Sequence, residues 1–140
     1  MFKLSEKSMN KLEGVHEDLT KVVKQAIKVS TVDFCVVEGL RSVDRQKKLY
    51  AQGRTAPGKI VTWTMLSRHL SGHAVDLGAI VSGVLSYDEK WYTQIANAML
   101  GSAASLNVPL KWGGTFVDKN GKPTPDLMHF ELSKYFYKGD

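Results

Sequence analysis

Cysteine is almost absent from this 140-residue chain. A single residue, Cys35, rules out an intrachain disulfide. Its place in the apolar run Phe34-Cys35-Val36-Val37 reads as a small buried hydrophobe rather than a nucleophile. Long apolar runs are missing too. No stretch reaches the 18 or so residues of a membrane-spanning helix, so no membrane insertion is expected. Met1 to Lys7 holds no apolar signal core, and the expectation is a protein made and folded in the cytoplasm. Low-complexity segments, internal repeats and heptad arrays are absent. So is any block of five or more like charges, although the formal net charge is +5 and the pI about 9.3. The basic residues are scattered, from Lys21 through Arg41 to Lys59. That pattern offers no nucleic-acid module, and it leaves a surface that attracts polyanions in general.

What remains is ordinary globular composition, 43% hydrophobic and 24% charged, with a length that fits one domain, residues 1–140. Ser5 and Gly14 bracket a short helix. A second helix spans 17–30, where Leu19, Val22, Val23, Ala26 and Ile27 recur at helical spacing. His16 reads as its entry residue. Val32 to Val37 is β-branched and reads as a strand, with Glu38 to Ser42 as the turn out of it. A helix over 43–52 stops at Gly53, and a loop runs from there to Met65. His73 to Ile80 and Val84 to Leu85 form a hairpin around Ser82-Gly83. An amphipathic helix covers 88–106. Leu110 to Trp112 and Leu127 to Leu132 are short strands, joined by a polar loop with a tight turn at Lys119 to Pro123. The sum is an α+β domain, helices against a small, mostly antiparallel sheet.

Three of the four histidines, His69, His73 and His129, lie in two strand-like segments that also hold acids, Ser67-Arg68-His69-Leu70-Ser71-Gly72-His73-Ala74-Val75-Asp76-Leu77 and Asp126-Leu127-Met128-His129-Phe130-Glu131-Leu132. A catalytic zinc needs three protein ligands and an open position. His69, Asp76 and His129 meet that need if Gly72 turns the first segment back on itself. Asp76 would then face away from Val75 and Leu77, which enter the core. Hydrolysis also needs a carboxylate near the metal to move a proton. Asp126 and Glu131 both qualify by position. Arg41, leaving the turn after a buried strand, is a candidate for the charge that develops on an attacked carbonyl.

Ser67-x-His69-x-x-Gly72-x-Ala74-x-Asp76 resembles the zinc motif of the D-alanyl-D-alanine carboxypeptidase and dipeptidase family, which shares its metal-site architecture with hedgehog-type and lysostaphin-type proteins. The likeness extends to Leu12-Glu13-Gly14-Val15-His16, Glu38-Gly39-Leu40-Arg41-Ser42, Trp112-Gly113-Gly114 and Asp126-x-x-His129-Phe130-Glu131. It is greatest for the small bacteriophage branch, L-alanyl-D-glutamate endopeptidases that serve as endolysins. The resemblance implies a Zn2+ cofactor on His69, Asp76 and His129, with Asp126 as catalytic base. Arg41 would bind substrate and stabilise the oxyanion. Ser67 would contact the peptide or brace the site. His73 stands at a variable motif position, as a surface residue or a substrate contact. Many relatives carry Glu at the position of Asp126, so the backbone must bring the shorter side chain closer. Trp112 is expected to pack, and Gly113 and Gly114 to let backbone approach the substrate. The implied partner is bacterial peptidoglycan, met by a monomer that waits in the host cytoplasm until released to the wall. The alternatives are a D,D- or L,D-carboxypeptidase of the same family, a non-catalytic wall-binding module and a basic nucleic-acid binder. Asp118, Asn120 and Asp126 fit no EF-hand spacing, and no calcium site is assigned.

Overall fold

Local capping decides where each helix begins. In the computed structural model, which describes residues 1–60 and 67–137, Ser5 accepts from the Ser8 amide to start α1 (Glu6–Lys11), and Ser42 accepts from the Arg45 amide to start α3 (Val43–Ala51). His16 does the same for α2 (Glu17–Val29), its Nδ1 taking the Asp18 N–H at 3.0 Å. Asp88 caps α4 (Glu89–Ser105). The expected helices therefore form, each within about two residues of its expected bounds. Of the loop expected from Gly53 to Met65, residues 61–65 lie outside the described residues.

Five strands make one antiparallel sheet: β1 (Asp33–Glu38), β2 (Ala74–Val81), β3 (Val84–Ser86), β4 (Leu110–Trp112) and β5 (His129–Leu132). β2 is the hub. β1 runs along one edge of it, while β5 and β3 share the other edge, and β4 pairs with β5. Ser82 and Gly83 both take positive φ, 54° and 79°, and close the β2–β3 hairpin. β5 starts at His129 instead of Leu127, because Asp126 to His129 is a turn, closed by the His129 amide on the Asp126 carbonyl at 3.2 Å.

Alternation along β2 separates two environments. Val75, Leu77 and Ala79 are fully buried, and with Phe130 and Leu132 of β5 they pack against Leu19, Val22 and Val23 of α2 and Ile95 and Met99 of α4. Tyr92 joins this core and donates its hydroxyl to the Ser86 carbonyl at 2.6 Å. Asp76 and His129 point to the opposite face. Cys35, half-buried and paired with Gly78, lies outside the core instead of within it, since its neighbours Phe34 and Val36 take the inward positions.

Candidate metal centre

The register of three strands sets the centre. Glu38 of β1, Asp76 of β2 and His129 of β5 are direct cross-strand partners in one row. Plain alternation along β1 would put Val37 opposite Asp76. A bulge between Val36 and Glu38 skips Val37 and brings Glu38 there instead. α1 satisfies the irregular backbone: Ser8 Oγ accepts from the Val36 amide and Lys11 Nζ donates to the Val37 carbonyl, both at 3.0 Å.

His69 arrives differently from the expected strand. It sits in a 3-10 turn, Arg68–Ser71, started by Ser67, whose Oγ accepts from the His69 amide at 3.2 Å. Gly72 ends the turn at φ +75°. A Cβ there would stand 2.3 Å from the Gly14 carbonyl oxygen, so only glycine lets the turn dock on the start of α2. The turn drops the His69 ring beside Asp76 and His129, and the two imidazoles meet edge to face with centroids 5.2 Å apart.

Ligand atoms of His69, Asp76 and His129 lie within 4.8 Å of one another. Hydrogen bonds set which atoms face inward. His69 Nδ1 is 2.8 Å from the Gly39 carbonyl, which can only accept, so that nitrogen carries the proton and Nε2 carries a lone pair. His69 Nε2 is buried, 3.3 Å from Asp76 Oδ1, and has no hydrogen-bond partner among the described residues. His129 Nε2 donates to Glu131 Oε1 at 2.9 Å, which aims Nδ1 at Asp76 Oδ1, 3.2 Å away. Three lone pairs thus converge, an arrangement that asks for a proton or a cation between them. Two imidazole nitrogens and one carboxylate oxygen are a donor set that suits zinc.

The electrostatics agree. Burial raises the Asp76 pKa, but the hydrogen bond from His129 and the closeness of His69 outweigh it and hold the carboxyl well below the usual range. Burial disfavours a charged His129, yet the bonds to Asp76 and Glu131 raise its pKa to about 9. For Glu131, burial raises the pKa and the His129 bond more than reverses it. Asp126 goes the other way. The protein packed around its carboxyl, and then the Asp76 charge, raise its pKa. Its main chain is pinned at the rim: the Asp126 amide bonds the Gly113 carbonyl at 2.8 Å, and a Cβ on Gly113 would come within 2.2 Å of the Asp126 carbonyl oxygen. Gly113 therefore serves the approach of the chain to itself. Gly114 likewise lies against the Trp112 indole, whose Nε1 donates to the Leu127 carbonyl at 2.8 Å, so Trp112 packs as expected.

Comparison with known proteins decides the kinship. The family model for phage L-alanyl-D-glutamate peptidase matches residues 1–133. The chain belongs to that family. It is 26% identical over 141 residues to the L-alanyl-D-glutamate peptidase of Escherichia phage T5, covering 94% of this chain and 98% of the relative. It is 40% identical over 80 residues to the peptidoglycan L-alanyl-D-glutamate endopeptidase CwlK of Bacillus subtilis (strain 168), covering 49% and 48% of the two chains. The crystal structure of the Serratia marcescens L-Ala D-Glu endopeptidase ChiX superposes with a TM-score of 0.83 at 37% identity, over 96% of this chain and 93% of that one. The vancomycin-resistance D,D-dipeptidase VanXYg, at 18% identity and a TM-score of 0.57 over 84% of this chain and 50% of that one, shares the fold.

In this peptidase-family member Arg41 is held from several sides. Its Nε and Nη2 fork onto the two oxygens of Glu38 at 2.8 and 2.7 Å, and Nη1 donates to Gln46 Oε1 at 2.8 Å and to Ser67 Oγ at 3.4 Å. Nη2 also stands 3.9 Å from Asp76 Oδ2. The Arg41 hydrogen bond, ahead of burial, lowers the Glu38 pKa. Glu38 and the fully buried Gln46 escaped the sequence reading. The spacing Glu38-x-x-Arg41 was a signal for the first, whereas nothing in an exposed-looking helix marked the second. His73 is outside the cluster: its Nδ1 lies 2.7 Å from Ser71 Oγ, and its ring packs by His16 and Tyr137. Asp118 Oδ1 accepts from the amides of Asn120 and Lys122 in the expected tight turn. Among the described residues, no helix is long and apolar enough to cross a membrane.

Proposed function

We propose that the chain is a zinc-dependent peptidase that hydrolyses the L-Ala–D-Glu bond of peptidoglycan stem peptides, as an endolysin does. The convergence of three lone-pair atoms on His69, Asp76 and His129 carries the reading, and the family membership names the bond. A zinc ion held there supplies Lewis-acid chemistry at the scissile carbonyl and makes water a stronger nucleophile at neutral pH. Asp126 takes the proton from the attacking water and hands it to the leaving amine. Its raised pKa suits a group that must both accept and release a proton. Arg41, locked by Glu38 and Gln46, offers a fixed positive field beside Asp76 to the oxygen that becomes negative. Ser67 braces both His69 and Arg41. Glu131 orients His129 and leaves the base role to Asp126. The net charge of +5 favours a wall whose stem peptides carry free carboxylates. A monomer released from the host cytoplasm to the wall is the corresponding biology.

Digestion of purified peptidoglycan, with and without chelator, tests this. New glutamate amino termini that appear only without chelator are the expected result. Release of terminal D-alanine alone would make the protein a carboxypeptidase of the same chemistry, and no new termini would leave a wall-binding module.

A further inference from the structure

On the other side of the sheet from the metal centre, α2 and α4 leave between them an open groove of about 400 Å³. Its walls carry amides and hydroxyls, Gln25, Thr31, Gln94, Asn97 and Ser102 among them, with Val29 and Ala98 as apolar patches; no described residue lining it is ionisable. In a chain that is 24% charged, that makes the lining distinctive. Two further details stand out. Gly101 lies inside α4, where glycine weakens a helix. No positive φ requires it, and a Cβ there would meet nothing within 4 Å, so packing does not require it either. It leaves the groove wall without a side chain at that point. Beside it Ser102, 4% exposed, forms part of the groove, and its Oγ is buried without a hydrogen-bond partner among the described residues.

We propose that this groove binds a neutral, N-acetylated sugar segment, a stretch of wall glycan distinct from the stem peptide at the metal centre. The Thr31 hydroxyl already donates to Gln94 Oε1 at 2.7 Å and holds that wall in place. The Gln25 and Asn97 amides and the Gln94 amide nitrogen complement acetamide groups and sugar hydroxyls, and Val29 and Ala98 offer surface to the acetyl methyl and the C–H face of a ring. The absence of ionisable groups selects against the charged stem peptide. The ligand class rests on the peptidoglycan reading above. With the groove and the metal centre on opposite faces, one molecule holds a glycan while it cuts a peptide elsewhere in the mesh, which raises the local concentration of substrate.

The test titrates the isotope-labelled full chain with the tetramer of N-acetylglucosamine and follows amide resonances. Saturable shifts at Gln25, Gln94, Asn97, Gly101 and Ser102 are expected. Gly101→Gln, which fills open space and replaces a helix-weakening residue, should keep the fold and weaken binding by about tenfold or more. The same variant should slow digestion of intact wall and leave the cleavage of a soluble, sugar-free stem peptide unchanged. That last assay reports on the catalytic reading independently of the groove. No saturable shift at the groove, equal binding by Gly101→Gln, or shifts that follow protein concentration instead of sugar would each overturn the proposal.

Discussion

The two faces of strand β2 are built on opposed principles. Toward α2 and α4, Val75, Leu77 and Ala79 are interchangeable in kind, since any well-packed apolar set of similar volume would close that core. Toward the other face, Asp76 stands in a row with Glu38 and His129, and each member is fixed by named polar partners: Arg41 on Glu38, His129 and His69 on Asp76, Glu131 on His129. The first face supplies stability through area. The second keeps buried polar groups that an apolar core would dispense with, including His69 Nε2, which has no hydrogen-bond partner among the described residues. The proposed function lies where the fold is least self-sufficient.

The strongest way to break this contrast is a paired substitution. Phe130→Ala should cost about 3–5 kcal/mol, the usual toll of emptying an aromatic site in a core, as read by a chemical melt. His69→Ala should cost the metal-free protein clearly less than Phe130→Ala, chiefly the lost bond to the Gly39 carbonyl, while activity and bound zinc disappear together. A chelated His69→Ala preparation as destabilised as Phe130→Ala would mean the polar face holds the fold as well.

Next comes the division of labour within the polar face. Asp126→Asn should bind about one zinc per chain and melt normally, with hydrolysis down by roughly 10²–10⁴-fold, the usual scale for lost acid–base catalysis. Loss of zinc from that variant would make Asp126 a ligand support. Arg41→Lys should lower kcat by roughly 10²-fold, because an ammonium cannot reproduce the fork onto Glu38 together with the bond to Gln46. Unchanged kinetics would reduce Arg41 to a structural brace. His73→Ala should be far milder than either.

The smallest effect concerns Glu131. Glu131→Gln should weaken zinc affinity by roughly 10–100-fold through the mis-set His129 ring. It should also flatten a pH dependence. In chelated protein the folded-state pKa of His129 is raised, to about 9. Its stabilising contribution is therefore complete below the unfolded value of about 6.5 and is lost as pH rises through 9. Melts of the chelated wild type should fall across that window, and those of Glu131→Gln should fall less. Identical slopes would detach Glu131 from His129.

Helices and strands were legible because their signals are local. Ser5 announces a helix start, Leu19 to Ile27 keep helical spacing, and Ser82-Gly83 marks a hairpin. Residues 69, 76 and 129 were legible as a set only through spacing and resemblance. Their actual meeting depends on a 3-10 turn that looked like strand, and on Gly72 fitting against Gly14, a contact between distant segments. The bulge in β1 was invisible for the same reason: Val37 and Glu38 alternate in sequence as any strand would, and only pairing with β2 shows which one is skipped. Glu38 consequently read as turn, and its grip on Arg41 was missed. The tight contact of Gly113 with the Asp126 carbonyl was hidden as well, because it joins two segments that are apart in sequence.

The convergence of His69, Asp76 and His129 has a bearing on durability. Asp76 and His129 are 53 positions apart, and one shared ion would join them as a staple joins two pages. A cross-link closing a loop of that length removes about 4 kcal/mol of unfolded-chain freedom in the simple entropy picture. With Cys35 alone, the sequence has no covalent way to do this. A bound metal would be a removable substitute for the missing disulfide, so the same ion that arms the enzyme would set how long each molecule withstands heat and proteolysis.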